Sequence, residues 1–520
     1  MKRFSLGFAL ALGLSVPAQA DWHVAESDHF VVYADDRAKD VQEFAGALER
    51  YHSAMSLLQM RKNTKPSPSN RVTIFVVGSE GKIRKLAGEN AKNVAGFYIP
   101  RAGASRAFVP EINMRGRETD FSVTVLLHEY AHHFLISAAP YAMPRWVNEG
   151  AAEFFASAKF EKDGGLQIGA PAYHRAAELA FAKDVSVEEL IDPELYEKNK
   201  GKRFDAFYGR AWALYHYLYF NEERSGQLRN YMVGIAEGKA PRTAAIDAFS
   251  NLDALQKEVD RYIDQRRMNV WTLDADMLPT NPVTVRQLTE GEGEVMPLRI
   301  RSQRGVDREA ALELLPEIRE IAAEYPRDAG VLTALAEAEY DAGNDEKAIA
   351  AADRALAIDP NRKNAYVQKG YALFRQAASA TDEDAAYAAA MAPFSALNRL
   401  ENDHPIPLMY YYRSFVERGE EPNENARLAL EQAMQLAPFD KSLRMNAAMM
   451  QASEGKIAIA RQTIAPIAND PHCGGLAQTA RRFYEAMAGV EEGTAWNPGA
   501  TIDLATAIAD AATGEDTGSE

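Results

Sequence analysis

Apolar positions in this chain alternate between a period of two and a helical period, and the switches outline its elements. Phe30-Val31-Val32-Tyr33 reads as a strand, and Asp40 to Met60 carries Val41, Phe44, Leu48, Tyr51 and Leu57 at helical spacing. A polar, Pro-containing loop from Lys62 to Asn70 leads to a strand over Arg71–Val77 and a short helix around Lys82–Leu86. Phe97–Ile99 and Arg106–Pro110 read as paired strands, one of them an edge along which an extended peptide could lie. Val123, Leu126, Leu127, Tyr130, Phe134 and Leu135 then continue at helical spacing, with Thr119 and Asp120 as N-caps and Pro140 as the stop. Pro144 opens a second helix, and Asp163-Gly164-Gly165 turns the chain after it. Further helices begin near Val187, Phe204, Gln227, Thr243 and Leu252. Strands followed by helices predict an α+β domain over residues 21–272.

From Leu273 to Arg304 the pattern changes. Pro279, Pro282 and Gly291-Glu292-Gly293 separate the alternating runs Val283–Leu288 and Val295–Ile300, which predicts a linker carrying a small β-hairpin. Beyond it the chain repeats itself. Ala348, Ala355 and Pro360 recur as Ala426, Ala433 and Pro438 at one fixed displacement, a little over two periods of ~34 residues. Gly370 and Pro405 mark a unit between them. These positions resemble tetratricopeptide repeats, which implies an all-α solenoid of paired helices over 305–489 with a groove for a protein partner. The alternative is a helical bundle without repeats. Residues 490–520 are rich in Gly, Thr and acids and read as a disordered tail.

Composition narrows the function classes. A chain of 520 residues needs more than one core. Its formal net charge of −16, with no basic stripe, excludes nucleic-acid binding by phosphate neutralisation. The single Cys473 excludes an internal disulfide and reads as a small buried or loop residue. Lys2 and Arg3, the apolar run Phe4–Val16 and Ala18-Gln19-Ala20 form a secretory signal over 1–20, cleaved near Ala20. No stretch is long enough to span a membrane. The expected location is therefore periplasmic or secreted.

The candidate chemistry lies in His128-Glu129-Tyr130-Ala131-His132 and Trp146-Val147-Asn148-Glu149-Gly150. Residues four apart on a helix share a face, so His128 and His132 can offer two imidazoles to one metal ion, with Glu129 in reach of a water on it. A helix, a short loop and a second helix can return Glu149 to the histidines. Two imidazoles and a carboxylate leave the fourth position of a tetrahedral Zn2+ site open for water. Glu153, one turn beyond Glu149, is placed to accept the free ring N–H of a ligand histidine. The alternative is a buried helix pair with satisfied polar groups and a solvated Glu153. His23, His29 and His52 lack ligand spacing and read as structural; His133 reads as a core or surface residue, and His216 as packing in its helix, the alternative for it being to polarise a carbonyl.

These two segments resemble the gluzincin metallopeptidases, the group of thermolysin and the aminopeptidase-N family, with a spacing between them slightly shorter than is usual there. The resemblance implies a zincin-like fold for the first domain, Glu149 as the third zinc ligand and Glu129 as the catalytic base. Tyr208-Gly209-Arg210-Ala211-Trp212 resembles the segment in which a Tyr opens a helix and stabilises the tetrahedral intermediate, which assigns that role to Tyr208; Ala211 stands where the family has Gly. The amine-binding Gly-x-Met-Glu-Asn segment of the aminopeptidases has no counterpart in Asn93-Val94-Ala95-Gly96-Phe97-Tyr98. The expectation is thus an exported zinc endopeptidase acting on a protein or peptide substrate. The alternatives are an inactive protease-fold scaffold and a non-peptidase zinc hydrolase.

Overall fold

A computed structural model of the chain describes residues 22–88, 94–112, 119–138, 142–470 and 474–498. The expected signal segment, Cys473 and residues 499–520 of the expected tail lie outside the described residues.

A mixed six-stranded sheet organises the N-terminal lobe. It is built from β1 (His23–Glu26), β2 (Phe30–Ala34), β3 (Val72–Val76), β4 (Phe97–Ile99), β5 (Arg106–Val109) and β9 (Thr284–Gln287), in the order β4-β5-β3-β2-β1-β9. Strands β2, β3 and β5 are parallel, while β1, β4 and β9 pair antiparallel to their neighbours. Alternation along the strands sorts their side chains to two faces. Phe30, Val32, Ile74 and Val76 pack under α1 (Ala38–Leu58), while Val31, Phe75, Val77 and Phe108 face Ile83 and Ala87 of α2 (Glu80–Ala87) on the other side. Helix α3 (Phe121–Ala138) shares the first core, and Tyr51 Oη donates to Leu127 O at 3.1 Å, tying α1 to α3. A smaller sheet joins β6 (Lys159–Phe160), β7 (Leu166–Ile168) and β8 (Trp271–Leu273). Its first hairpin turns at the expected glycines, with Gly164 at φ +93° and Gly165 N donating to Asp163 Oδ1.

The expected linker hairpin over 273–304 is not formed. Val283–Leu288 contributes β9, which pairs with β1 at the sheet edge, so the sheet continues past residue 272. Glu290–Arg304 is an α-helix with Gly291 and Gly293 in its first turn, started by a capping box between Thr289 and Glu292. Gly291 is required for packing rather than turning, since a Cβ there would come within 2.7 Å of the Tyr325 ring. Met296 and Ile300 of this helix cover the second face of the sheet.

The same helix begins a run of helix pairs: Glu290–Arg304 with Arg308–Glu324, Ala329–Asp341 with Asp345–Ile358, Lys363–Ala377 with Glu383–Leu400, Pro405–Val416 with Glu424–Leu436, and Lys441–Ser453 with Ile457–Ala468. This is a helical-repeat solenoid. The recurring alanines Ala348, Ala355, Ala426 and Ala433 are all fully buried. Gly370 lies against the Phe394 ring, where a Cβ would come within 2.4 Å. The tail expected from 490 is held as far as 498. Trp496 packs edge-on against Phe483, and its backbone N–H donates to Ala452 O.

Lobe and solenoid are packed together. Ala102 N donates to Asp440 Oδ2 at 2.8 Å, Asn70 Nδ2 to Leu436 O at 2.9 Å, and Ser69 N to Glu401 Oε1 at 2.9 Å. The His133 ring lies 4.4 Å from that of Phe439. Arg106 of β5 is half-buried near Glu337 and Tyr371 of the solenoid, and burial lowers its pKa to about 10. Among the described residues no helix is long and apolar enough to cross a membrane.

Candidate metal centre

Helix α3 starts at Asp120, whose carboxylate accepts from Ser122 N at 3.0 Å and whose carbonyl accepts from Thr124 N. Helix α4 (Arg145–Ala156) follows with Pro144 as its N-cap. The two helices pack on each other, and their contact faces hold His128, His132, Glu149 and Glu153. His128 is 3% exposed and both glutamates are 0% exposed.

Three atoms converge here. His128 Nε2 and His132 Nε2 are 2.9 Å apart, and Glu149 Oε2 lies 3.5 Å from the first and 3.3 Å from the second. Ligands held at 2.0–2.1 Å on a tetrahedral zinc ion are about 3.3 Å from one another, so this triangle has the size of one face of such a site. Borderline-soft imidazole nitrogens with a carboxylate oxygen are also a donor set that zinc accepts. Among the described residues this is the one His/Cys/Asp/Glu group with that convergence.

The remaining ring nitrogens are held from behind. His128 Nδ1 is 3.1 Å from Glu153 Oε1, and His132 Nδ1 is 3.2 Å from Asn148 Oδ1. An acceptor at Nδ1 places the proton there and leaves the Nε2 lone pair facing the triangle. Glu153 is not solvated. His174 Nε2 reaches its Oε2 at 2.5 Å, and Arg175 donates to its Oε1 from Nη2 at 2.6 Å and from Nε at 3.0 Å. Burial alone would raise its pKa, but Arg175, His128 and His174 hold the carboxyl well below the usual range. His174 and Arg175 carry no spacing relative to the two histidines, so no sequence pattern singled them out.

Glu129 is half-buried, one position from His128. Its charge, together with the larger effect of burial, raises the pKa of Tyr98 on β4. Tyr208 stands in the first turn of the helix Phe207–Phe220, its ring centroid 6.5 Å from that of His128. The Arg175 guanidinium carbon lies 4.8 Å from the centre of the Tyr208 ring. Arg175 Nη1 is also 3.5 Å from Glu178, whose carboxylate accepts from Gly209 N at 2.7 Å at the start of the same helix. One arginine therefore touches both the group behind His128 and the segment presenting Tyr208.

Gly150 explains how that helix comes so close. A Cβ at Gly150 would meet Ala211 O at 2.4 Å and Tyr215 Cβ at 2.9 Å, so only glycine allows α4 and Phe207–Phe220 to pack at this distance. His216 packs in the core: its Nε2 is 2.8 Å from Gly169 O, and Tyr262 Oη meets Nδ1 at 2.7 Å. His133 turns away from the triangle and meets Tyr98 Oη at 2.6 Å. His29 and His52 stack on each other at 3.6 Å, with His29 also paired to Glu49 at 2.8 Å.

Residues 122–239, which include every group of this centre, match a family described as "Protein of unknown function (DUF1570)". No curated protein matches the chain. Among solved structures, a thermophilic TPR protein of Thermus thermophilus is similar at 18% identity, covering 38% of this chain and 98% of that one, with a TM-score of 0.32. MamA of Desulfovibrio magneticus RS-1 is similar at 18% identity over 37% of this chain and 93% of that one, with a TM-score of 0.25.

Proposed function

We propose that this chain is an exported zinc metallopeptidase, an endopeptidase by class, whose repeats serve protein contacts. The observation that carries the reading is the triangle of His128, His132 and Glu149, set to the size of a zinc site and braced by Glu153 and Asn148. Zinc held there would lower the pKa of a bound water towards ~7 and polarise a carbonyl. Glu129, next to His128 and half-buried, is the proton acceptor for the attacking water. Tyr208 supplies the hydrogen-bond donor for the oxygen of the attacked carbonyl. The support for a peptide substrate is β4, the outer strand of the sheet, which lies against α3 and offers a backbone edge for an extended chain.

The test is made on the full-length chain. Purified protein should carry about one zinc and cleave internally quenched peptides, N-acetylated ones included. Glu129→Gln should retain zinc while turnover falls by roughly 10² or more, and Tyr208→Phe should lower kcat more than it changes KM. Zinc binding without hydrolysis of any peptide would remove the peptidase assignment.

A further inference from the structure

A groove between the lobe and the solenoid opens beside Asn148, the residue that holds His132. The lobe contributes Arg145 to it, and the solenoid contributes Phe439, Lys441, Arg444 and Asp470. Lys441 and Asp470 lie 3.1 Å apart and balance each other. Neither arginine has a direct ion pair of this kind among the described residues, although Glu149 and Tyr208 lie near Arg145 and favour its charged form. Among the described residues, no carboxylate lies within ion-pair distance of Arg145, whose guanidinium carbon sits 4.1 Å over Phe207 and 5.3 Å over Tyr196. Among the described residues Arg444, 7% exposed, donates to carbonyls, from Nε to Pro438 O at 3.1 Å and from Nη1 to Thr463 O at 3.5 Å.

Desolvated charges are normally paired, because burial removes the water that would otherwise stabilise them. Two guanidinium groups without directly paired acids, lining one groove of a chain with a net charge of −16, form a local positive excess against an acidic background. Their forked N–H groups match the two oxygens of a carboxylate. Phe439 and Ile467 give the groove apolar walls, which strengthen such a contact by excluding water.

We propose that this groove is a carboxylate-binding subsite for the substrate, taking either an acidic side chain or a free C-terminus, with Arg145 and Arg444 as its specificity-determining residues. The proposal rests on the peptidase reading for the identity of the ligand as a peptide. It gives the solenoid a direct part in substrate selection, because one arginine comes from each side of the interface.

The experiment reads binding rather than turnover. Apolar hexapeptides carrying an uncharged dansyl label are titrated by anisotropy against full-length Glu129→Gln protein. One carries an internal Glu and a C-terminal amide, a second an internal Gln and a free C-terminus, and a third Gln and amide. At least one of the first two should bind roughly tenfold or more tightly than the third, and which one does identifies the source of the carboxylate. Arg444→Gln should reduce that preference to under about threefold, and Arg444→Lys should restore part of it. Equal binding of all three peptides, or a preference that survives both Arg444→Gln and Arg145→Gln, overturns the subsite. Should Arg444→Gln fail to fold, the comparison among peptides decides alone. A chain that binds the acidic peptide but hydrolyses nothing keeps the subsite and loses the peptidase; hydrolysis without carboxylate preference does the reverse.

Discussion

Glu153 Oε1 lies 3.1 Å from His128 Nδ1, and the same carboxylate is gripped by His174 and Arg175. The orientation of His128 is thus set by a residue whose own position is fixed by two further side chains. Glu153→Gln keeps the shape but removes the charge that favours a proton on Nδ1. Zinc affinity, measured by competition with a chromophoric chelator, should drop roughly 10- to 100-fold. Unchanged affinity would show that His128 is oriented by packing alone.

Adjacent histidines should separate cleanly. His132→Ala removes one corner of the triangle and should abolish stoichiometric zinc. His133→Ala should leave zinc in place. Its effect falls on the lobe–solenoid contact instead, because Tyr98 Oη loses its 2.6 Å partner and Phe439 its ring neighbour. A loss of about 1–3 kcal/mol in urea unfolding is expected. Equal metal loss from both variants would refute the ligand assignment.

Gly150→Ala tests the close approach of α4 and Phe207–Phe220. The obstructing atoms at 2.4 and 2.9 Å include the backbone of Ala211, which cannot swing aside as a side chain can. Destabilisation of about 1–3 kcal/mol is expected, with Tyr208 displaced from His128. A variant with wild-type stability and turnover would mean that the helices slide apart without strain.

The site was legible in the sequence where residue spacing on a helix defines geometry. His128 and His132 share a face by period alone, and Glu153 follows Glu149 by one turn. His174 and Arg175 were invisible because the short helical turn at Tyr173–Arg175 reaches Glu153 through tertiary packing, not through any period. The strand Thr284–Gln287 pairs with His23–Glu26 across most of the lobe's length, and no local pattern specifies such a partner. The helix at 290–304 was misread because Gly291 and Gly293 outweighed a signal that was present: Thr289 and Glu292 stand in capping-box spacing.

Truncation follows from the same elements. A chain ending at Leu273 lacks β9 and the helix whose Met296 and Ile300 cover Phe75 and Phe108. It should be aggregation-prone and bind zinc poorly, as read by size-exclusion chromatography and metal analysis. A soluble, zinc-loaded fragment would show that the lobe closes its sheet without them.

Acid should weaken the fold through its buried histidines. Burial, with the neighbouring His29, lowers the pKa of His52 to about 3, and burial lowers that of His216 to about 4. The unfolded chain takes up protons near pH ~6.5 and the native state does not, so their stabilisation is full above ~6.5 and declines towards pH 3–4. Each should add about 1.4 kcal/mol per pH unit to the slope within that window. Urea midpoints between pH 7 and 5 should therefore fall more steeply in the wild type than in His52→Asn. Parallel slopes would mean that His52 is protonated in the native state.

The helix Glu290–Arg304 gives Met296 and Ile300 to the sheet and Val295 and Leu298 to the first repeat core. During synthesis the strands carrying Phe75 and Phe108 emerge long before it does. At ~5–20 residues per second, the interval between Val109 and Arg304 is roughly 10–40 s. Throughout that time the aromatic face of the lobe is covered by α2 alone on this side, without Met296 and Ile300, and the sheet edge is unfinished. The risk of misassembly therefore falls before the last repeats have been made.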